Sequence, residues 1–292
     1  MSLNLKLDHI AINVKENMND AYNLFSELGF TITPRGYHSL GSINHSMIFK
    51  NDYLELIGTQ KHVSINRPEL KNAKLGINGL VFKSNNIEQT YNHLVKLNYH
   101  EHPPRSFHRP VKIQQVEKEA RFKTVSIKSN IFKAGRIYFC DHLTPNLVWL
   151  PEYFLHDNKS IAILEIVIID SNPSSIIKKF LEIDKNLKVS KKDNFFTLKN
   201  NDFKISILHL SDFKHRYKNV ISNMKFRSSM FGSIKLKMES LSFFKNIRKD
   251  TLKKIIKFSD KNKVQIFLKD YNLVLEFIQK TIWIYKNNYT SN

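Results

Sequence analysis

Cysteine is nearly absent from this sequence, since Cys140 is the one example among 292 residues. One cysteine excludes an intrachain disulfide and a cluster of thiolate metal ligands. Cys140 ends the apolar run 137–140, a position that favours a buried, unreactive thiol over a catalytic nucleophile. The sequence therefore excludes disulfide-stabilised scaffolds and thiolate-cluster proteins.

Glycine is also scarce, with eight residues in the whole chain. Phosphate-binding loops and dinucleotide fingerprints need closely spaced glycines, and neither pattern occurs. A Gly-x-Ser-x-Gly nucleophile elbow is missing as well. We therefore do not expect ATP, GTP or NAD as cofactors, and nucleophilic catalysis is not supported.

Long apolar runs are missing too, and none approaches the roughly 20 residues of a membrane span. The first twenty residues include Asp8, Glu16 and Asp20 and have no continuous apolar segment, unlike a secretory signal. We therefore expect a cytoplasmic protein with no membrane partner.

Acidic residues are outnumbered, with 26 Asp and Glu against 46 Lys and Arg, and the formal charge is +20. Such an excess raises anionic partners as a possibility. However, the basic residues are spread along the chain without a nucleic-acid-binding motif. We expect solvated basic faces and a preference for anionic small ligands, and we disfavour nucleic acid as a partner.

The segment 7–57 has the clearest internal pattern. An alternating strand at 7–14 precedes a helix in which Ala21, Leu24, Phe25 and Leu28 recur at spacings of three and four. Gly29 is a natural left-handed stop for this helix, and three short strands follow it. The pattern predicts a strand–helix–strand–strand–strand (βαβββ) module.

Three further copies of this module follow along the chain. Residues 90–99 align without a gap on residues 21–30, and such internal repetition is a primary signal of organisation. The second copy, at about 75–155, contains a polar insertion at 100–118, which we interpret as a solvated loop or a lid for an anionic substrate. We predict two domains, 1–155 and 160–292, the second built from divergent copies at about 160–210 and 231–280.

The first module, with His9 near its start and Glu55 near its end, resembles the module of the vicinal oxygen chelate superfamily, which includes glyoxalase I and the extradiol dioxygenases. The segment 142–153, in which His-Leu-Thr-Pro leads to Trp149 and a proline, resembles a signature of its glyoxalase-like branch. The resemblance implies an α+β fold of cupped mixed sheets around a small-molecule pocket. It also implies a divalent metal (Fe, Mn, Ni or Zn) and pairing of subunits into a homodimer.

The resemblance implies that His9 and Glu55 are metal ligands, and both donor types suit these metals. The counterpart of His9 in the second module is Asn78, a poor ligand, and Val148 aligns with Glu55. His142 is therefore the expected third ligand. Another candidate by position is Glu165.

Tyr53, Asn78 and Trp149 are expected to line the substrate pocket, and Glu55 could alternatively be a general base. Structural roles stay open: His9 could hydrogen-bond within the sheet, Glu55 could face solvent, and His142 could hold a turn. Two classes of function stay open. One is a metal-dependent lyase, isomerase or dioxygenase, and the other is a metal-free protein that sequesters a small molecule.

Overall fold

The computed structural model describes residues 2–63, 67–192, 195–200 and 203–279. The first half of the chain forms one eight-stranded mixed sheet with strand order β2-β3-β4-β1-β5-β8-β7-β6. Its strands are β1 (Leu7–Lys15), β2 (Gly36–Tyr37), β3 (Ser42–Ile48), β4 (Tyr53–Thr59), β5 (Gly76–Lys83), β6 (Arg105–Ile113), β7 (Val116–Ser126) and β8 (Arg136–His142). Its helices are α1 (Met18–Glu27), α2 (Pro68–Lys71) and α3 (Ile87–Lys96).

The second half repeats this arrangement in a sheet of order β10-β11-β12-β9-β13-β16-β15-β14. Its strands are β9 (Ser160–Asp170), β10 (Lys188–Lys192), β11 (Phe195–Asn200), β12 (Phe203–Leu208), β13 (Ser229–Met238), β14 (Ile255–Ser259), β15 (Lys263–Leu268) and β16 (Leu273–Gln279). Its helices are α4 (Pro173–Ile183), α5 (Leu210–Tyr217) and α6 (Lys249–Lys254).

Each sheet joins two βαβββ modules through its two central strands. The first strand of a module runs parallel to its last, as β1 does to β4 and β5 to β8, and the modules meet at the antiparallel pair β1–β5. The pair β9–β13 does the same in the second sheet. The predicted α+β fold of repeated modules in cupped mixed sheets is confirmed.

The core lies on the helix-bearing faces of both sheets. Ile10 and Ile12 of β1 pack with Leu24 and Phe25 of α1 in an apolar cluster that extends into the second half. Phe132 and Phe180 join the halves, with ring centroids 4.7 Å apart. Because this cluster is continuous, the division into domains 1–155 and 160–292 stays a prediction.

The polar insertion predicted at 100–118 is instead most of a long hairpin, β6–β7. Gln114 and Gln115 turn it with φ of 48° and 67°. Pro110 is tolerated within β6 because β6 is an edge strand, where a missing N–H breaks no second ladder. The hairpin also curls back on the opposite edge of the sheet, where Ser39 N donates to His108 O at 2.9 Å. The first sheet therefore closes into a barrel-like cup.

Local sequence effects set two boundaries. Strand β8 ends at His142, because Pro145 and Pro151 begin short 3-10 turns where a ladder N–H would be needed. Helix α6 ends at Lys254, because β-branched Ile255 and the residues after it pair with β15. Helix α5 lies between β12 and β13.

Of the described residues, no helix has the length and apolar character needed to cross a membrane.

Asp52 links the two halves of the chain from a buried position. Its Oδ1 accepts a hydrogen bond from Ile163 N of β9 at 3.2 Å. Burial raises the pKa of Asp52 to about 7, although the Ile163 N–H and the nearby Lys83 partly offset that effect. A carboxyl whose pKa is raised on folding destabilises the folded state once pH exceeds its unfolded value, and the loss is complete above the folded pKa.

We therefore expect Asp52→Asn to raise the free energy of unfolding by about 2 kcal/mol at about pH 8, because the amide keeps the acceptor oxygen without the charge. This gain in the free energy of unfolding should shrink as pH falls and vanish below about pH 4, where Asp52 is protonated in both the folded and the unfolded state. Urea unfolding at several pH values measures it, with the exposed Asp157→Asn as the matched control. A gain that does not change with pH would contradict this account.

Candidate functional site

The concave face of the first sheet encloses a cavity of about 640 Å³. Side-chain alternation decides which residues reach it. In β4, Leu54 and Leu56 pack in the core beneath the helices, so Tyr53 and Glu55 face the cup. The same alternation in β1 directs His9 into the cup.

His9 and Glu55 meet on the floor of this cup. His9 Nε2 lies 3.6 Å from Glu55 Oε2 and 3.2 Å from the Tyr138 hydroxyl. The second carboxylate oxygen, Glu55 Oε1, accepts from Asn44 Nδ2 at 2.8 Å. The His9 ring stacks on Tyr53 with centroids 4.4 Å apart. Glu55 is 5% exposed, so its charge stands in a poorly solvated setting.

Asp8 orients the His9 ring from an irregular point in β1. The pairing of β1 with β5 shifts register between Leu7 and His9, which leaves Asp8 as a bulge residue. Asp8 Oδ1 lies 2.5 Å from His9 Nδ1, and His142 Nε2 lies 3.0 Å from both Asp8 oxygens. Burial alone would raise the pKa of Asp8, but the two imidazoles outweigh it and hold the pKa far below its usual range. A proton on His9 Nδ1 directed at Asp8 leaves Nε2 free to face the cup.

His142 does not join His9 and Glu55 around one point. Its Nε2 lies 3.0 Å from Asp8, and its Nδ1 is buried without a hydrogen-bond partner among the described residues. Ligand atoms of Asp8, Cys140 and His142 lie within 4.8 Å of one another. Burial, and then the charges of Asp8 and Glu55, keep the pKa of the Cys140 thiol well above its usual value in the metal-free protein.

Two of the three residues predicted for the substrate pocket line the cavity, and the third does not. Tyr53 and Asn78 line the cavity. Trp149 packs behind it, 4.7 Å from the His142 ring and 5.9 Å from Tyr53, with Lys83 Nζ 4.3 Å from its ring centroid. Their roles in binding, like those of His9, Glu55 and His142 as metal ligands, stay predictions.

Sequence reasoning missed the arginines of the cup. Arg136, the first residue of β8, donates from Nε to Asn78 Oδ1 at 2.8 Å. Arg109 reaches the cup from the β6–β7 hairpin and is 9% exposed. Arg67 pairs with Glu69 at 2.9 Å. The alternation along the hairpin was the signal for Arg109, whose segment was interpreted as a solvated loop or a lid for an anionic substrate.

Burial and two of these arginines lower the pKa of the neighbouring His38. Burial first, and then the charges of Arg67 and Arg109, lower the pKa of His38 well below its usual value. Its Nδ1 lies 2.8 Å from Ser42 Oγ. His38 is therefore a neutral part of the cup wall, and the positive charge there belongs to the arginines.

Glu165, the remaining ligand candidate, belongs to the second sheet. Arg216 of α5 contacts its two oxygens at 2.9 and 3.0 Å, and Lys235 contacts it at 2.7 Å. Lys235 also pairs with Glu276 at 2.9 Å. The concave face of the second sheet, the second cup, is therefore covered by α5, and these charged groups pair with one another.

A larger cleft of about 950 Å³ runs between the two halves of the chain. Lysines such as Lys6 and Lys237 and several amide side chains line it. The first cup is the better candidate site because it gathers a buried carboxylate, an imidazole and arginines around one cavity.

The modular topology and the cup define a protein of the vicinal oxygen chelate superfamily, as the resemblance predicted. Within it, the chain belongs to the glyoxalase-like domain family, whose model matches residues 7–183. No curated protein matches the sequence.

Solved structures agree in fold. One from Staphylococcus aureus, described as a hypothetical protein, has a TM-score of 0.67 at 14% identity, covering 94% of this chain and 100% of that one. A mutant of 4-hydroxymandelate synthase from Streptomyces coelicolor has a TM-score of 0.55 at 10% identity, with coverages of 95% and 93%. A fusion of a xylose isomerase-like TIM barrel with 4-hydroxyphenylpyruvate dioxygenase has a TM-score of 0.54 at 9% identity, covering 96% of this chain and 49% of that one.

Asp8→Asn should destabilise the protein by about 3 kcal/mol near neutral pH, because the amide replaces a buried carboxylate that lies 2.5 Å from His9 Nδ1 and 3.0 Å from His142 Nε2. The pKa of Asp8 is depressed on folding, so its contribution is present above the unfolded pKa and is lost as pH falls. The difference in the free energy of unfolding between wild type and Asp8→Asn should therefore become smaller as pH falls into the acid range. Urea unfolding of both proteins measures it, and Asp157→Asn is an exposed control. Equal stability at neutral pH would contradict this role.

Proposed function

We propose that the first cup is an active site for a small, anionic organic molecule and that Glu55 removes a proton from it. The observation that carries the proposal is the Glu55 carboxylate, which is buried in the cup with one oxygen held by Asn44 and the other turned towards His9. A general base must be fixed in place and within reach of a bound substrate, and Glu55 meets both conditions.

The neighbours of Glu55 suit proton abstraction next to a carbonyl group. Burial raises the pKa of Tyr138, so its hydroxyl remains a hydrogen-bond donor near His9 Nε2. Arg109 and Arg136 line the same cavity and would stabilise the negative charge that develops when a carbon acid loses its proton. A lyase or isomerase step is therefore the reaction class that this geometry favours.

The anionic character of the ligand follows from the cavity lining. Seven Lys or Arg side chains and three Glu side chains line the cup, counted over the described residues. A cavity with such an excess of positive charge attracts anions and concentrates them near the base.

A divalent metal is a second candidate, supported by two observations. His9 Nε2 and Glu55 Oε2 are 3.6 Å apart, and Asp8 holds the other ring nitrogen of His9, as carboxylates do for metal-binding histidines. Such a metal would act as a Lewis acid on the substrate oxygens. However, three or more protein ligands are usual, and His142 Nε2 lies 3.0 Å from Asp8 instead of forming a group with His9 and Glu55 among the described residues. The donors of the cup floor therefore fit a metal poorly, and no step of the proposal depends on one.

The first test measures proton exchange directly. Wild-type protein in D₂O with 2-oxobutyrate or 2-oxohexanoate should speed the loss of the C3–H signals in NMR spectra. Glu55→Gln should lower that rate by about 100-fold or more, because the amide cannot accept the proton. Glu152→Gln, an exposed substitution, is the matched control. An unchanged rate in Glu55→Gln would reject Glu55 as the base, and tight binding without exchange in wild type would favour a sequestering protein.

The second test concerns the metal. Wild type and His9→Ala, expressed with Fe, Mn, Ni and Zn supplied, are compared by elemental analysis. The proposal predicts far less than one metal ion per chain in both proteins. A stoichiometric ion in wild type that is lost in His9→Ala would instead establish the metal-dependent alternative.

A further inference from the structure

Arg136 of the cup has a neutral hydrogen-bond partner at Nε and none at Nη2 among the described residues. Its Nε donates to Asn78 Oδ1 at 2.8 Å, and its guanidinium carbon lies 5.3 Å from the Tyr138 ring centroid. These contacts fix the plane of the group. Its Nη2 atom is buried and has no hydrogen-bond partner among the described residues. The structure therefore leaves a rigid, oriented donor without an acceptor.

The charge of Arg136 is also uncompensated. Arg67, by contrast, pairs with Glu69 and donates to Ser42 Oγ at 3.0 Å. Arg136 and Arg109 form no ion pair within the described part of the chain, and burial lowers the pKa of both. Buried charges normally have partners, because removing an isolated ion from water is costly. A bound anion would supply the missing partner.

We propose that the ligand of the first cup is a carboxylic acid and that Arg136 binds its carboxylate, with Arg109 adding a second positive charge. A guanidinium with its Nε already used still offers planar donors that match the two oxygens of a carboxylate. Asn78 serves as the positioning residue for this arginine. The proposal rests on the proposed function, because it names the substrate class for the site in which Glu55 is the base.

A carboxylate fits this cup better than a phosphate group does. Phosphate sites commonly use backbone N–H groups at helix N-termini or in glycine-rich nests. The wall beside Arg136 consists of β5 and β8, whose residues pair within the sheet except at the bulge residue Asn78. Neither a helix N-terminus nor a glycine-rich nest of N–H groups contributes to that wall among the described residues.

The rest of the ligand is expected to be apolar. Tyr53, Phe107, Phe122 and Tyr138 line the cavity, and its volume of about 640 Å³ is ample for a small acid. Arg136 and Glu55 also line the same cavity, so one ligand could contact both. A carboxylate on Arg136 would therefore hold the neighbouring carbon atoms on the Glu55 side of the cup.

Isothermal titration calorimetry with matched acids and amides tests the proposal. The probes are hexanoate and phenylacetate, their amides hexanamide and phenylacetamide, and inorganic phosphate. Wild type should bind each acid at least about tenfold more tightly than its amide and should prefer it to phosphate. Arg136→Met should weaken acid binding by about 30-fold and leave amide binding nearly unchanged, because a buried charge partner is lost. Arg136→Lys should recover part of the preference.

Arg121→Met removes an exposed arginine outside the cavity and is the matched control. Equal affinity of wild type for acids and amides, tighter binding of phosphate, or an acid preference that survives in Arg136→Met would each overturn the proposal. The wild-type and Arg136→Lys measurements keep the test decisive if Arg136→Met does not fold.

The Glu55→Gln variant separates this inference from the proposed function. If Glu55→Gln stops proton exchange while Arg136→Met keeps its preference for acids, the base is supported and the carboxylate site fails. If Glu55→Gln leaves exchange unchanged but still binds acids through Arg136, the carboxylate site is supported and the base fails.

Discussion

The antiparallel pairing of β1 with β5 is the contact on which the site depends. It joins two modules that are separated along the chain into one sheet, so that β4 and β8 flank the central pair. His9 and Glu55 from the first module then face the same cavity as Arg136 and Tyr138 from the second. Neither module contains the site alone, because each contributes one half of the cup.

The same pairing is interrupted twice, and both interruptions lie at the site. One leaves Asp8 as an extra residue in β1, and the other leaves Asn78 as an extra residue in β5. Asp8 contacts the His9 ring, and Asn78 accepts from Arg136. Bulges redirect side chains that regular pleating would send elsewhere, and here each one orients a titratable or charged group of the cup.

The two cups share a topology but differ in charge balance. In the second, Arg216 and Lys235 face Glu165 and Glu276, and α5 covers the concave surface. The first has an excess of buried positive charge and an open cavity. The first cup therefore has the open volume and uncompensated charge that a ligand needs, and the second supports the fold through an internal ion-pair network.

The sequence by itself determined the modular fold, because side-chain periodicity and internal repetition are local properties of the chain. It also predicted that His9 and Glu55 face the cup. Alternation in β4 places Glu55 on the opposite face from Leu54 and Leu56. Only the tertiary structure decided that His142 is held by Asp8 and that Arg109 and Arg136 enter the cup. Those placements depend on two register shifts and on how far a hairpin curls, and both are set by pairing between distant strands. Alternation along the hairpin indicates which residues share a face with Arg109, but it does not indicate that this face reaches the cup.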